Sequence, residues 1–163
     1  MKNNPGTYAI ILKPNAERSI KVGKLGMLRV QAGYYIYVGS AFGPGGLKAR
    51  IAHHKRVSHR PRWHIDYLRT AAEICKVWYT YDPRPMEHQW AEAFAGAKGI
   101  TAPFPGFGSS DCNCRAHLYY VKSKPSLTSF RRRLRAKIKN HETVFIGKIS
   151  YTDKEGINGQ SHL

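Results

Sequence analysis

Leu47, Arg50, Ile51 and His54 recur at a spacing that sets four side chains along one side of an α-helix, within an arc of roughly 100° at about 100° per residue. A stripe of that kind faces the core. Leu47 and Ile51 belong on it; Arg50 does not. A guanidinium stays charged at any ordinary pH, and burying it without an anion is costly. The chain has few carboxylates to offer, since Lys and Arg total 27 against 10 Asp plus Glu. A bound phosphate answers the charge well, because the planar guanidinium fork can hold two of its oxygens at once. The competing reading is an Arg whose stem lies on the apolar edge while its head reaches water. His54 by itself reads as a satisfied, partly buried histidine. Lys48, Lys55 and Arg56 are free to face water and suit contact with a polyanion. The preceding FGPGG lacks the GK[ST] ending of a nucleotide-binding P-loop, so it reads as turn chemistry. A second constellation is Cys112, Cys114 and His117, with His59 or Cys75 to complete it. Its C-x-C plus one His lacks the spacing of a usual zinc motif, which makes zinc the minor reading.

The formal charge of +17 and the 42% hydrophobic content fit a folded domain that attracts polyanions. Nucleic acid is the first partner class and an anionic membrane surface the second. No apolar stretch approaches the length of a membrane span, and MKNNPGTYAIILKP lacks the pattern of a signal peptide. Three cysteines, an odd number, read as reduced thiols of a cytoplasmic protein.

The elements that must carry Arg50 and His54 follow from local pattern. TYAIILK is rich in β-formers and reads as a first strand. RSIKV reads as an edge strand or a cover for the sheet. Gly33 turns the chain into a strand from Tyr34 to Val38, and a helix runs from Gly46 to about Ser58. WHIDYLRTA is a shorter helix, EICKVWYTY a strand, MEHQWAEAFAGA a helix, and GITAPFPGFGSSDCNC a loop. AHLYYV is a short strand, SLTSFRRRLRAKIKN a basic helix with a Ser or Thr cap, and the chain beyond Tyr151 reads as frayed. The alternation predicts an α/β domain around a small mixed or antiparallel sheet.

Gly6-Thr7-Tyr8 and Tyr37-Val38-Gly39 resemble the two short strand motifs of the GIY-YIG nucleases, with a β-branched residue in place of Ile in each. The pattern Leu47-x-x-Arg50-Ile51-x-x-His54 is similar to that family's first helix. The wording "GYYIYVGSA", "WHIDYL", "EHQWAEAF" and "GFGSSDCNC" followed by "HLYY" resembles its small Uri-type branch. The likeness runs from about Gly6 to Val121.

The resemblance implies a central three-stranded antiparallel sheet flanked by helices over residues 1–122, with residues 123–163 as a basic helix and tail. It also implies a structure-selective endonuclease of DNA rather than RNA, acting in repair or processing with one Mg²⁺ or Mn²⁺. Tyr8 and Tyr37 would flank the attacking water, one of them as general base with a pKa lowered by nearby cations. Arg50 would face the scissile phosphate, with His54 in support. The family's metal-binding Glu must be Glu87 or Glu92. Glu87 falls at the margin of the apolar face formed by Met86, Trp90, Ala93, Phe94 and Ala97, whereas Glu92 points away, so Glu87 is assigned. His64, Asp66, Asp111 and Asn113 are candidate supports. Arg131, Arg132, Arg133 and Arg135 would contact nucleic acid along the basic helix. The alternative function is a non-catalytic basic nucleic-acid-binding module on the same fold.

Overall fold

A computed structural model of the protein describes residues 1–109, 114 and 116–149. Its framework is a six-stranded antiparallel sheet with the spatial order β6-β7-β4-β1-β5-β8. The strands are β1 (Thr7–Pro14), β4 (Tyr34–Ser40), β5 (Ala72–Thr80), β6 (Ile100–Thr101), β7 (Leu118–Val121) and β8 (Phe145–Lys148). A separate hairpin joins β2 (Arg18–Val22) to β3 (Gly26–Val30). The helices are α1 (Gly46–Lys55), α2 (His64–Leu68), α3 (Glu87–Ala95) and α4 (Leu127–Lys137).

The sheet corrects the expectation of three strands. β4, β1 and β5 are the long central members, and shorter strands extend them on both sides. Of these extensions β7 is the strand read from AHLYYV, whereas β6 and β8 are invisible locally. β6 has only two residues, and β8 owes its existence to pairing along β5 from Lys76 to Tyr79. Such edges are defined by a partner distant in sequence rather than by their own pattern.

β1 shows why both faces of the sheet are covered. Its side chains alternate, as strand geometry requires, and both sets are buried. Tyr8, Ile10 and Leu12 join Leu47, Ile51, Ile65 and Leu68 in a core beneath α1, α2 and the β2–β3 hairpin. Ala9 and Ile11 join Trp78, Trp90, Phe94, Phe130 and Leu134 in a second core beneath α3 and α4. Phe94 and Phe130 stack with ring centroids 4.3 Å apart, which anchors α4 on α3. Ser126 caps α4 by accepting from the Ser129 N–H at 3.1 Å. α4 thus covers α3, and β8 extends the sheet beyond β5.

The turn into α1 uses glycines for their backbone freedom. Gly45 and Gly46 have φ of 83° and 60°, and a Cβ at Gly46 would collide with the Asn3 carbonyl. The N-terminal segment lies against this turn. The Asn4 carbonyl accepts from the Leu47 N–H at 3.0 Å, and the Lys2 carbonyl from Lys48 at 3.3 Å. The first N–H groups of α1 are thereby occupied, so the glycine loop does not present them to a phosphate.

Candidate active site

α1 supports the site as its periodicity indicated. Leu47, Ile51 and His54 are buried, while Arg50 is half-buried at the edge of their stripe. The Arg50 guanidinium lies 4.7 Å from the centre of the Trp63 ring. Among the described residues no carboxylate comes within ion-pair distance of it. It opens into a cleft of about 220 Å³ that Tyr8, Tyr37, Arg62, Trp63, His64 and Glu87 also line. Residues from two strands, three helices and the α1–α2 connection thus converge on one concavity.

β1 and β4 bring the tyrosines together. Tyr8 pairs across the ladder with Gly39, while Tyr37 lies opposite Ile10, so both rings stand on the α1 face. The tyrosine ring needs the glycine: a Cβ at position 39 would collide with the Tyr8 hydroxyl. That hydroxyl lies 2.7 Å from His54 Nε2. His54 Nδ1 is buried with no hydrogen-bond partner among the described residues. A proton on Nδ1 would be an orphaned donor, whereas a bare Nδ1 lone pair is tolerated more readily. The favoured tautomer therefore carries its proton on Nε2 and donates it to Tyr8, which leaves the tyrosine's own proton to point elsewhere.

Charge in the site departs from the sequence expectation. Both tyrosine pKa values are raised above the ordinary phenol value, not lowered. Burial is the main cause for each. The neighbouring Tyr37 adds to the rise at Tyr8 and Glu87 adds to it at Tyr37, while Arg50 opposes both without prevailing. His54 is pushed down to about 3, first by burial and then by the adjacent His53. The free protein thus holds a neutral phenol against a neutral imidazole.

The remaining candidates divide by position. His64 lines the cleft, and its Nδ1 accepts from the Gly108 N–H at 2.8 Å, which ties the loop before β7 to α2. Asp66 is buried beneath the site. It accepts from the backbone N–H groups of Arg62 at 2.9 Å and Trp63 at 3.1 Å, and pairs with His53 Nε2 at 3.2 Å. Burial alone would raise its pKa, but these donors outweigh it and hold the carboxyl below its ordinary value. Asp66 therefore shapes the turn that presents Arg62 and Trp63. Asp111, Asn113 and Cys112 lie outside the described residues.

Glu87 opens α3 and lines the cleft with its side chain one-quarter exposed. Glu92 is exposed on the far side. Glu87 Oε1 stands 2.8 Å from His117 Nδ1, a partner the sequence reading did not assign to it. Arg62 and Trp63 were also missed as site residues. WHIDYL had drawn attention only through His64 and Asp66, and nothing local reveals that Trp63 underlies Arg50. Arg69 is a further omission, since it donates to the carbonyls of His54 at 2.8 Å and Lys55 at 3.0 Å and so closes the end of α1.

The basic residues do not form one surface. Lys48, Lys55 and Arg56 are exposed on α1 and at its end. α4 belongs to the opposite face of the sheet, and two of its four candidate arginines have structural duties. Arg131 donates to the Val144 carbonyl and Arg133 Nε to that of Ala93 at 2.7 Å, leaving Arg132 and Arg135 exposed. The expected zinc set also changes: Cys114 and His117 gather with His88, rather than with His59 or Cys75.

A family model described as "Domain of unknown function DUF123" matches residues 7–140. The chain belongs to that family. The match spans β1 through α4 and so takes in every described cleft residue of this DUF123 protein. Comparison with curated proteins and with solved structures gives no match. No helix among the described residues is long and apolar enough to cross a membrane.

Proposed function

We propose that this DUF123 protein is a divalent-metal-dependent nuclease that hydrolyses phosphodiester bonds, with DNA as the favoured substrate. One observation carries the reading: Arg50 sits half-buried without a carboxylate partner, in a cleft that also holds two tyrosines and one carboxylate. A phosphate supplies the charge that Arg50 lacks, and an anionic chain suits the exposed cations beside the cleft.

The roles follow from position. Arg50 binds the scissile phosphate and offsets the charge that builds on it in the transition state. Tyr8 orients the attacking water and is the better general base of the two tyrosines. Its oxygen receives the His54 proton and is approached by Arg50, so two donors favour its phenolate once the cleft is occupied. Tyr37 closes the far side of the water site. Glu87 fits a magnesium or manganese ion as a single hard carboxylate at the rim of an otherwise basic and aromatic cleft, leaving room for water and phosphate oxygens. A divalent cation there would supply Lewis-acid stabilisation of the leaving oxygen. Trp63 stacks under Arg50 and keeps its fork in the cleft, and Asp66 holds the turn that carries Trp63.

The deciding experiment is cleavage of a panel of labelled single-stranded, nicked, flapped and branched DNAs, with RNA counterparts, in magnesium, manganese or chelator. Metal-dependent cleavage that Arg50→Ala and Glu87→Gln both abolish supports the assignment. Tight binding with no cleavage of any member would replace it with the non-catalytic binding module.

A further inference from the structure

We propose that His88, Cys114 and His117 form a second metal site, for zinc(II) or a similar borderline-soft divalent ion, separate from the oxygen site at Glu87. One ligand atom from each residue lies within 4.8 Å of the others. His88 Nδ1 and Cys114 Sγ are 2.8 Å apart, and the His88 and His117 rings meet edge to face with centroids at 6.0 Å. Ligands of one tetrahedral zinc stand roughly 3.3–3.6 Å apart, given bond lengths of about 2.0–2.1 Å to nitrogen and 2.3 Å to sulfur. The three side chains therefore need to shift by only about 1 Å to share an ion.

The donor set selects the ion. Two imidazoles and a thiolate suit zinc, whereas magnesium and manganese favour oxygen ligands such as Glu87. Three protein ligands leave a fourth position for water. Binding converts the Cys114 thiol to a thiolate and releases its proton to solvent, so affinity rises with pH.

The site reaches the cleft through one contact. Glu87 Oε1 stands 2.8 Å from His117 Nδ1, so an ion taken by Nε2 of that ring would leave this contact in place. A carboxylate holding the distal N–H of a metal-bound histidine fixes both the ring and itself. His88 follows Glu87 at the start of α3, and His117 directly precedes β7. An ion there ties the helix start to the strand and sets the orientation of Glu87. His117 and the ion are in this sense positioning groups, and their bearing on cleavage rests on the nuclease reading above.

The test uses the whole protein, stripped of metal with a chelator and titrated with cobalt(II) in the absence of nucleic acid. Wild type and Cys75→Ser are expected to bind one equivalent with tetrahedral visible bands and a thiolate-to-cobalt charge-transfer band. Cys114→Ser should lose the charge-transfer band, and both it and His88→Ala should lose more affinity than the roughly 100-fold that removing an outer partner costs. Circular dichroism and thermal melts establish that each variant is folded. Absence of the band in wild type, its survival in Cys114→Ser, or its loss in Cys75→Ser would overturn the site. Glu87→Gln should bind cobalt about 10–100-fold more weakly, and unchanged affinity would remove the positioning link. Cobalt uptake is read without substrate, so a protein that takes up cobalt but never cleaves would refute the nuclease reading and leave this site standing.

Discussion

Replacing Arg50 by Ala separates a catalytic arginine from a structural one, because the structure bounds the stability cost. Arg50 has no ion-pair partner among the described residues; its defined contacts are the face of Trp63 at 4.7 Å and an approach to the Tyr8 hydroxyl, which keeps its bond to His54 when Arg50 is removed. A half-exposed cation–π contact contributes about 0.5–1 kcal/mol. In a chain of this size, that corresponds to a fall in Tm of roughly 2–4 °C at most. Loss of a preorganised electrostatic stabiliser instead lowers the chemical step by about 10²–10³, or about 2.7–4 kcal/mol. The rate loss should therefore exceed the stability loss by about 2–3 kcal/mol. Arg50→Lys should recover little of the rate, since a point charge reproduces neither the fork nor the planar stack. Thermal melts without nucleic acid, set beside single-turnover cleavage with saturating enzyme, give both quantities. A strongly destabilised Arg50→Ala that cleaves at the wild-type rate would show that Arg50 serves the fold, and would sink the phosphate assignment.

Glu87→Gln should abolish cleavage while leaving DNA affinity intact or improved, because it removes a metal ligand together with a negative charge; exposed Glu92→Gln should be neutral in both assays, and the reverse pattern would move the carboxylate assignment. His54 links stability to acid. Its folded pKa of about 3 lies below the ordinary 6.5, so the unfolded chain binds the extra proton, and stability present above pH 6.5 drains away as pH falls toward 3, at up to about 1.4 kcal/mol per pH unit. His64, lowered by burial, adds in the same direction, whereas Asp66 acts only below its ordinary 3.8, so urea midpoints between pH 6.5 and 4 should flatten clearly in His54→Gln. An equally steep acid limb in that variant would contradict the burial argument. Converting Lys48, Lys55 and Arg56 to Gln should reduce the log–log salt slope of DNA binding by up to about 2.7 if each meets one phosphate. Converting Arg132 and Arg135, which lie on α4 across the sheet from the cleft, should change it less; a larger effect from the α4 pair would place the DNA on the other face.

Much of the site was legible because it is periodic. The α1 stripe alone predicts that Leu47 and Ile51 are buried and that Arg50 sits at their margin, and the face of α3 alone separates Glu87 from Glu92. What could not be read was set by long-range pairing. His117 meets Glu87 only because β7 pairs with β4 and its leading residues pass the start of α3. Trp63 underlies Arg50 only because Asp66 folds its turn back over α1. The tyrosine pKa values were misjudged for a related reason: nearby cations can be counted in a sequence, but the depth of burial that outweighs them cannot. The four arginines of α4 look alike as letters, yet Phe130 and Leu134 fix the helix's rotation, and that rotation commits Arg131 and Arg133 to carbonyls on their own chain.

The contact between Trp63 and Arg50 also makes the cleft optically readable. Of the three tryptophans, Trp78 and Trp90 are sealed in the α3–α4 core, whereas Trp63 is half-buried at the cleft with His53 and Arg50 against its ring. An aqueous quencher reaches Trp63 first, and any anion that draws the guanidinium off the indole changes the field acting on that one chromophore. Intrinsic fluorescence, resolved by quencher accessibility, therefore reports occupancy of the cleft in the unlabelled protein, whatever anion fills it.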